Sequence, residues 1–513
     1  MKISAEKTGL FWGTILLLGS NIIVKGLGFF YRVILVRLLG VEGVGLIEMA
    51  APIYSFLLVL AGCGIQTSLS QIIAAKHGEE GKTYLKTALV MLLISGIFIT
   101  GLAYLLAPWL IANFAPDDRI ILCFKMLLPA IIIICIASAF RGLFQGNKQV
   151  STLGMSQNIE QITRVIIGIW LISELATASI ETQTSAASIA TVCGELAGFL
   201  YLLFLYFRSQ AKLFPNPHSK GKFSLRDAKE LLGLGLPLTG SRLVTSGIMM
   251  LQAILIPLCL KMSGWDIRAA TEIYGRFSGV SLALLHLPGV FTAALSVSVL
   301  PAVAESMTYD ISGRRLLSKR VNDSMQASSS FTLLGMLLLF IFAEPLCTLI
   351  FDNRPAASLL QLLTIGGMFM YLQTTLTSVL QGLGEVKTLF INNIISGVIL
   401  IIGIVLLTPL PSLGINGTVI AVNLCWISGF VLNLFSFYRK TQVKLNWKNI
   451  AFRPLVAAAI TALAYYSQKF FSPQLLVDQS ISTLLLEALA VSAVYLISLY
   501  LQGGLIKIRR GQK

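Results

Sequence analysis

Long apolar runs separated by short polar segments recur along the whole chain. A helix of about 20 apolar residues crosses a hydrocarbon core of roughly 30 Å. Because backbone amides inside lipid must find partners within their own segment, these runs are predicted to be α-helices, and strand-like alternation is absent. The pattern therefore predicts an all-α polytopic membrane protein of about fourteen transmembrane helices. They are placed near residues 9–38, 45–75, 84–113, 119–144, 152–174, 183–208, 229–261, 268–304, 321–350, 356–382, 387–408, 413–438, 449–470 and 480–506.

Composition and charge agree with this class and add an orientation. The chain is 56% hydrophobic and 12% charged, about half the charged fraction of a soluble domain. The net charge of +16 comes mostly from short loops, which argues against nucleic-acid binding. With the N-terminus inside, 27 Lys and Arg fall on the cytoplasmic side and five outside. Both termini are therefore expected in the cytoplasm, and the first apolar run is expected to be retained rather than cleaved.

A short motif occurs twice, which suggests that the chain contains an internal repeat. Residues Leu143–Gly146 (LFQG) recur as Val379–Gly382 (VLQG) after a shift of 236, and Val and Thr follow at matching positions. Six helices per repeat give both halves the same direction, so the repeat axis would run along the membrane normal. We expect lobes at 1–212 and 226–440 and two added helices at 447–508. The turn residues predicted to lie at a cytoplasmic gate are Arg141, Gln145 and Gln381.

The first span carries cations where an apolar residue is expected. Lys25, Gly28 and Arg32 are spaced i, i+3 and i+7, so they share one stripe of the helix. Ionisable residues at membrane depth cost a few kcal/mol by insertion scales and by default mark a polar pathway. The alternative is that both side chains extend to the membrane surface. We favour a role in a cavity for Lys25 and Arg32.

Other spans carry charges in the same way. Span 5 has Glu160 and Arg164 one turn apart, which fits a structural brace and a substrate contact equally well. Among the charged side chains predicted to line the cavity, cations outnumber carboxylates by three, which suits a cargo bearing phosphate or carboxylate. The predicted substrate-binding cations are Lys25, Arg32, Arg164, Arg242 and Arg276, and their polar partners are Gln157, Glu160 and Glu272.

The same residues carry a resemblance. The stretch from Lys25 to Leu46, the Arg141–Gly146 turn and the Gln157–Arg164 motif are similar to sporulation members of the polysaccharide-transporter family. That family lies in the multidrug/oligosaccharidyl-lipid/polysaccharide exporter superfamily, beside the lipid II flippases. The resemblance implies a two-lobe, alternating-access bundle in the bacterial plasma membrane. Lys25 corresponds to a cation that binds diphosphate in the flippases, whereas Arg32 is offset by one residue.

The resemblance also implies a cargo and partners. The expected cargo is an undecaprenyl-diphosphate-linked precursor, lipid II for spore-cortex peptidoglycan, moved from the inner to the outer leaflet. The expected partners are this anionic lipid-linked glycan and the membrane lipids, for a monomer without nucleic acid, nucleotide or cofactor. The alternatives are a flippase for another lipid-linked oligosaccharide, a drug/cation antiporter, a membrane enzyme or a scaffold.

Several motifs that would change this interpretation are missing from the sequence. The antiporter would need membrane-embedded carboxylates, yet span 1 has no Asp or Glu between Thr8 and Gly40. No G-x-x-x-x-G-K-[ST] loop occurs, so no direct use of ATP is expected. The seven cysteines and three histidines form no metal-ligand spacing, and we expect the cysteines to be buried apolar residues. The sequence therefore predicts a carrier and not an enzyme.

Overall fold

The computed structural model describes residues 2–75, 81–214, 223–306, 311–471 and 481–504, and all regular elements in these ranges are helices. The predicted all-α class is confirmed. The helices are α1 (Lys2–Gly62), α2 (Ile65–Ala75), α3 (Gly81–Phe114), α4 (Ile120–Leu127), α5 (Pro129–Gly146), α6 (Val150–Glu174), α7 (Ile180–Leu213), α8 (Leu225–Met262), α9 (Ile267–Gly275), α10 (Leu282–Leu285), α11 (Gly289–Ser306), α12 (Ile311–Ile341), α13 (Ala343–Phe351), α14 (Ala356–Gly382), α15 (Val386–Leu407), α16 (Ile415–Thr441), α17 (Arg453–Phe471) and α18 (Ile481–Leu501). Two π-helical segments, Arg276–Ser281 and Lys448–Phe452, lead into α10 and α17.

Eleven segments of the described chain are long and apolar enough to cross a membrane. The first, Ile22–Ala75, has 54 residues, or about 80 Å of helix at 1.5 Å per residue, which is enough for two crossings. Its helix α1 is broken at Gly40, where φ is 67° and ψ is 178°. Glycine adopts this positive φ without the steric penalty of a Cβ atom. The break lies at a predicted turn, whereas the number fourteen stays a prediction.

The chain packs into two compact units. The first contains Met1–Lys261 and Trp265–Gly275, and the second contains Met262–Gly264 and Arg276–Lys513. The sequence placed the boundary between residues 212 and 226, so the packing differs by assigning nearly all of α8 to the first unit. The Tyr84 hydroxyl donates a 2.6 Å hydrogen bond to Glu230 on α8.

In the first unit, α6 packs against α1 and α7, and α5 packs against α2, α3 and α7. Helix α9, which ends at Gly275, also belongs to this unit, because it packs along α1. Close approach requires small residues there: a Cβ atom on Gly275 would overlap the backbone carbonyl of Val41. The α9 segment is therefore held against α1 by backbone contact as well as by side chains.

The second unit has its own apolar core. Buried residues from α11, α12, α14, α15 and α16 form it, including Val321, Leu376 and Phe437. A smaller cluster joins α17 and α18 to α12, where the hydroxyl of the buried Tyr495 donates to the Ser330 carbonyl at 3.0 Å. These apolar contacts hold the last two helices on the second unit.

The repeated sequence motif forms two turns with the same hydrogen bonds. After α5, the amides of residues 147, 148 and 149 donate to the carbonyls of residues 143, 145 and 144. After α14, the amides of residues 383, 384 and 385 donate to the carbonyls of residues 379, 381 and 380. Lys148 and Gly384 occupy equivalent positions, and both have positive φ values, 59° and 77°. This local match supports the predicted repeat, and the assignment of whole lobes stays a proposal.

Candidate functional site

The five predicted substrate-binding cations do not fall in one compact unit. Lys25 and Arg32 on α1, Arg164 on α6 and Arg242 on α8 belong to the first unit. Arg276 begins a π-helical segment of the second unit and is half-buried.

Of the two predicted cations on α1, Lys25 has the more exposed side chain. Its side chain is exposed and makes no ion pair among the described residues. One turn on, Gly28 faces α6, where Gln161 Nε2 would lie 3.6 Å from an added Cβ atom. Asn158 on α6 also donates a 3.2 Å hydrogen bond to Ser20 on α1. The helix that carries Lys25 thus packs against α6 on both sides of the lysine, with a hydrogen bond at Ser20 and a close approach at Gly28.

Arg32 is not an open cation, although the sequence placed it in a cavity beside Lys25. Its Nη2 atom lies 2.6 Å from Oε1 of Glu48, and the two side chains are 34% and 19% exposed. Gly40 lies midway between them, eight residues from each. A chain that reverses at Gly40 returns to the same depth after equal numbers of helical residues, so the pairing follows from the turn. That equal spacing was a sequence signal for Glu48 that the charge count missed.

Four buried charges form a network between α5, α6 and α7. Arg141 Nη2 lies 3.0 Å from Glu160 and 3.5 Å from Glu195. Arg164 Nη2 lies 2.8 Å from Glu160 and 3.2 Å from Glu195. The four side chains are only 9–22% exposed, so each charge depends on the others for compensation. The four side chains together therefore link α5, α6 and α7 within the first unit.

This network revises the prediction for Arg141 and adds a residue that was not predicted. Arg141 was expected to act at a turn or gate, but its guanidinium lies in the buried network, while Gln145 is exposed in the last turn of α5. Glu195 is not among the predicted site residues, yet it contacts both arginines. Nothing local in the sequence indicated this, because Glu195 is 54 residues from Arg141 and 31 from Arg164.

The predicted excess of three cations must also be corrected. The count opposed five cations with Glu160 and Glu272 alone, and it omitted Arg141, Glu48 and Glu195. Among these groups in the first unit, the cations outside any ion pair with a described residue are Lys25 and Arg242, both exposed. Of the predicted substrate-binding cations in the first unit, Lys25 and Arg242 are thus the exposed ones.

The remaining predicted site residues are placed as follows. Gln157 on α6 is half-buried, as is Glu272 on α9. Gln381 is exposed in the last turn of α14, matching Gln145 at the end of α5. No group of three or more potential metal ligands of the His, Cys, Asp or Glu type occurs in the described ranges.

A second ionic cluster lies just after the break at Gly40, where α1 meets α9 and the segment between α3 and α4. Arg119 contacts Asp117 at 2.7 Å and Glu42 at 2.5 Å, and Arg268 contacts Glu42 at 3.0 Å. The Thr271 hydroxyl donates to Asp117 at 2.9 Å. Burial by itself would raise the pKa of Asp117, but the hydrogen bonds from Arg119 and Thr271 prevail and hold it below the ordinary 3.8. The hydrogen bonds from Arg119 to Asp117 and Glu42 raise the pKa of Arg119, so the Asp117–Arg119 pair is ionised at neutral pH.

Apolar spans, an all-helical fold and ionic groups within the spans define a multi-pass membrane protein. Its sequence matches the profile described as polysaccharide biosynthesis protein over residues 10–307. The chain belongs to this family, which confirms the resemblance found in the motifs.

The similarity to named relatives extends over most of the length of the chain. Stage V sporulation protein B of Bacillus subtilis is 30% identical over 427 residues, which cover 82% of this chain and 81% of that protein. The lipid II flippase MurJ of Bacillus subtilis is 22% identical, with 97% and 96% of the two chains covered. A solved structure of lipid II flippase MurJ in an inward closed conformation has a TM-score of 0.73, covers 95% of this chain and 98% of its own, and is 17% identical. At that identity the structural match establishes the fold alone, because one fold can serve many cargoes.

Proposed function

We propose that this protein is a flippase for an undecaprenyl-diphosphate-linked cell-wall precursor of the lipid II type. It would carry the headgroup from the inner to the outer leaflet by alternating access. Membership of a polysaccharide biosynthesis family and similarity to a protein named lipid II flippase support this class of cargo. Similarity to a sporulation protein supports spore-cortex peptidoglycan as the product that receives the precursor.

The observation that carries the proposal is the state of Lys25. It lies fifteen residues before Gly40, about 22 Å along a helix at 1.5 Å per residue, and so deep within a span. It is exposed and has no ion-pair partner among the described residues. An ammonium group at that depth is stabilised by an anion that approaches from outside the unit. A diphosphate supplies two negative charges and several acceptors at once.

The proposal extends to location and drive. We place the protein in the bacterial plasma membrane as a monomer with both termini in the cytoplasm, because 27 Lys and Arg then lie inside and five outside. The sequence holds no phosphate-binding Walker loop, so the direction of transport is set by a gradient, by the membrane potential or by use of the product. The protein acts as a carrier, with no chemical step of its own.

Reconstituted translocation tests the proposal directly. Full-length protein in liposomes should move lipid II faster than an undecaprenyl-linked neutral glycan of similar size. Lys25→Ala should slow lipid II by tenfold or more, because a hydrogen bond to a charged group contributes about 1.5–3 kcal/mol. Arg354→Ala is the matched control, since Arg354 is a 76% exposed cation paired with Glu344 in the second unit. Its rate should stay near that of the unsubstituted protein.

The opposite results would assign another function. An inserted and stable Lys25→Ala protein that moved lipid II at the normal rate would remove Lys25 from the site. Equal rates for the neutral glycan and lipid II would leave a flippase with a different cargo. Drug resistance in a sensitised strain, with no effect on precursor translocation, would favour the drug/cation antiporter.

A further inference from the structure

The short junction between α16 and α17 joins two consecutive apolar spans. These spans are Ile415–Thr441 and Lys448–Gln468, so residues 442–447 are all that separates them. A segment of this length reaches at most about 21 Å when fully extended, so the chain turns back close to the bilayer surface. The junction and the adjoining helix ends therefore lie at the depth of the lipid headgroups.

The backbone of this junction is held firmly on the second unit. Val443 and Leu445 are buried in the apolar core of that unit. From α12, Asn322 donates a 3.3 Å hydrogen bond to the Lys444 carbonyl and accepts one of 2.7 Å from the Asn446 amide. Lys444 and Asn446 are exposed, so alternate side chains of the junction point into the core and into solvent.

Three exposed cations surround this junction without a carboxylate from the described part of the chain. Arg439, Lys444 and Lys448 are exposed, and none makes an ion pair with a described residue. Their neighbour Lys440 differs, because its Nζ atom lies 2.6 Å from Glu385 Oε1. The surface around the junction therefore carries positive charge that an anion from outside the protein can neutralise.

Aromatic side chains lie beside these cations. The indole Nε1 of Trp447 donates a 2.9 Å hydrogen bond to the Tyr438 hydroxyl. This contact brings together the neighbouring cations, Arg439 on one strand of the junction and Lys448 on the other. Trp447 is 38% exposed and Phe452, one turn further on, is 62% exposed. Trp and Tyr are enriched where hydrocarbon meets water, so the rings can contact acyl chains while the cations face phosphate groups.

We propose that this junction is a binding site for the headgroup of an anionic phospholipid. The residues that form it are Arg439, Lys444, Trp447 and Lys448. Charge-assisted hydrogen bonds from the cations hold the phosphate, and the exposed Phe452 ring lies against the acyl chains. Anionic lipids face the cytoplasm, which is the side on which the count of Lys and Arg places this junction. The inference goes beyond the proposed function, because this ligand is a lipid of the membrane itself and not the cargo.

Quenching of Trp447 fluorescence by brominated lipids tests the site. The full-length protein is reconstituted into bilayers of phosphatidylcholine and phosphatidylglycerol, and either one lipid or the other carries bromine on its acyl chains. The Trp447 signal is the difference between the unsubstituted protein and Trp447→Phe. Brominated phosphatidylglycerol should quench this signal more strongly than brominated phosphatidylcholine at equal mole fraction. The dependence of quenching on lipid composition gives the relative binding constant of the two lipids.

Removing two of the cations should remove most of this preference. In Lys444→Gln/Lys448→Gln, the relative binding constant for phosphatidylglycerol should fall by about tenfold or more, because each Lys or Arg near an anionic surface contributes about 1 kcal/mol. The charge-matched control is Arg226→Gln/Lys229→Gln, since both residues are exposed at the start of α8 in the first unit and are expected on the same side of the membrane. It should leave the preference at Trp447 unchanged.

Three results would overturn the assignment. Equal quenching of Trp447 by the two brominated lipids would show that the junction does not select an anionic headgroup. A folded Lys444→Gln/Lys448→Gln protein that kept the preference would show that these lysines do not bind the phosphate. An equal loss in Arg226→Gln/Lys229→Gln would show that overall charge, and not this junction, attracts the lipid. Transport of lipid II is measured separately through Lys25→Ala, so either proposal can fail while the other stands.

Discussion

Arg141 Nη2 and Glu195 Oε2 lie 3.5 Å apart, although 54 residues separate them along the chain. Glu160 and Arg164 complete the set, so two arginines from α5 and α6 share two carboxylates from α6 and α7. An isolated buried charge would be costly, and here every charge has two partners of opposite sign. The network ties three helices of the first unit together. The effects of substituting its charges on the unfolding free energy should therefore be coupled.

Removing Arg141 and Glu195 together should destabilise the protein by less than the sum of the two single substitutions. Arg141→Met leaves two carboxylates with one arginine and should cost about 3–5 kcal/mol, as for other broken buried pairs. Adding Glu195→Met restores neutrality around the Glu160–Arg164 pair. Thermal or denaturant unfolding of the four proteins should therefore show a favourable coupling of about 1–3 kcal/mol.

The matched control for this cycle is an exposed ion pair. Glu344→Gln removes a charge from a pair whose side chains are 53% and 76% exposed, and it should change the unfolding free energy by less than about 1 kcal/mol. Strict additivity of Arg141→Met and Glu195→Met would show that the buried charges do not depend on one another, contrary to the geometry.

Gly275→Ala should detach the α9 segment from α1. A Cβ atom on Gly275 would overlap the Val41 carbonyl, and backbone cannot move aside as the end of a flexible side chain can. We expect a loss of about 1–3 kcal/mol, the usual cost of overpacking, and faster amide hydrogen exchange in Ile267–Gly275. Gly101→Ala is the control, because no atom lies within 4 Å of the added Cβ on the exposed face of α3. That change should be neutral or stabilising by up to about 1 kcal/mol. Unchanged exchange in Gly275→Ala would show that α9 does not need this contact.

Acidification should weaken the ionic cluster around Asp117, and the weakening should begin only well below neutral pH. The folded-state pKa of Asp117 lies below the ordinary 3.8. The stabilisation is therefore fully present above that ordinary value and is lost as pH falls through the folded-state pKa. Asp117→Asn should lower the unfolding midpoint by an amount that stays constant between about pH 7 and pH 5.

Below about pH 4 the gap in unfolding midpoint between the original protein and Asp117→Asn should narrow, because the unfolded chain then takes up a proton at Asp117, and the gap should close as the folded carboxyl is protonated as well. The exposed neighbour Asp118 supplies a control, and Asp118→Asn should change the unfolding midpoint at pH 7 far less than Asp117→Asn does. A gap that widened on acidification would mean that Asp117 is held in its neutral form in the folded protein.

Much of the fold followed from local pattern. Run length and the need to satisfy backbone amides in lipid predict helices, and the structure has only helices in its described part. The repeated motif at Leu143–Gly146 and Val379–Gly382 predicted equivalent turns, and the hydrogen bonds of the two turns match. The boundary between units was not local information. Nearly all of α8 joins the first unit through long-range contacts such as Tyr84 to Glu230.

The sequence by itself determined the helical class, the stripe of Lys25 and Arg32, and the one-turn spacing of Glu160 and Arg164, because helical periodicity alone sets which nearby residues share a face. Only the tertiary structure decided which of those charges are compensated. Glu48 reaches Arg32 through the reversal at Gly40, and Glu195 reaches Arg141 and Arg164 through the packing of α5, α6 and α7. Electrostatic pairing depends on distance in space, which separation along the chain does not determine, so the sequence alone did not distinguish the exposed Lys25 from the paired Arg32 on the same stripe.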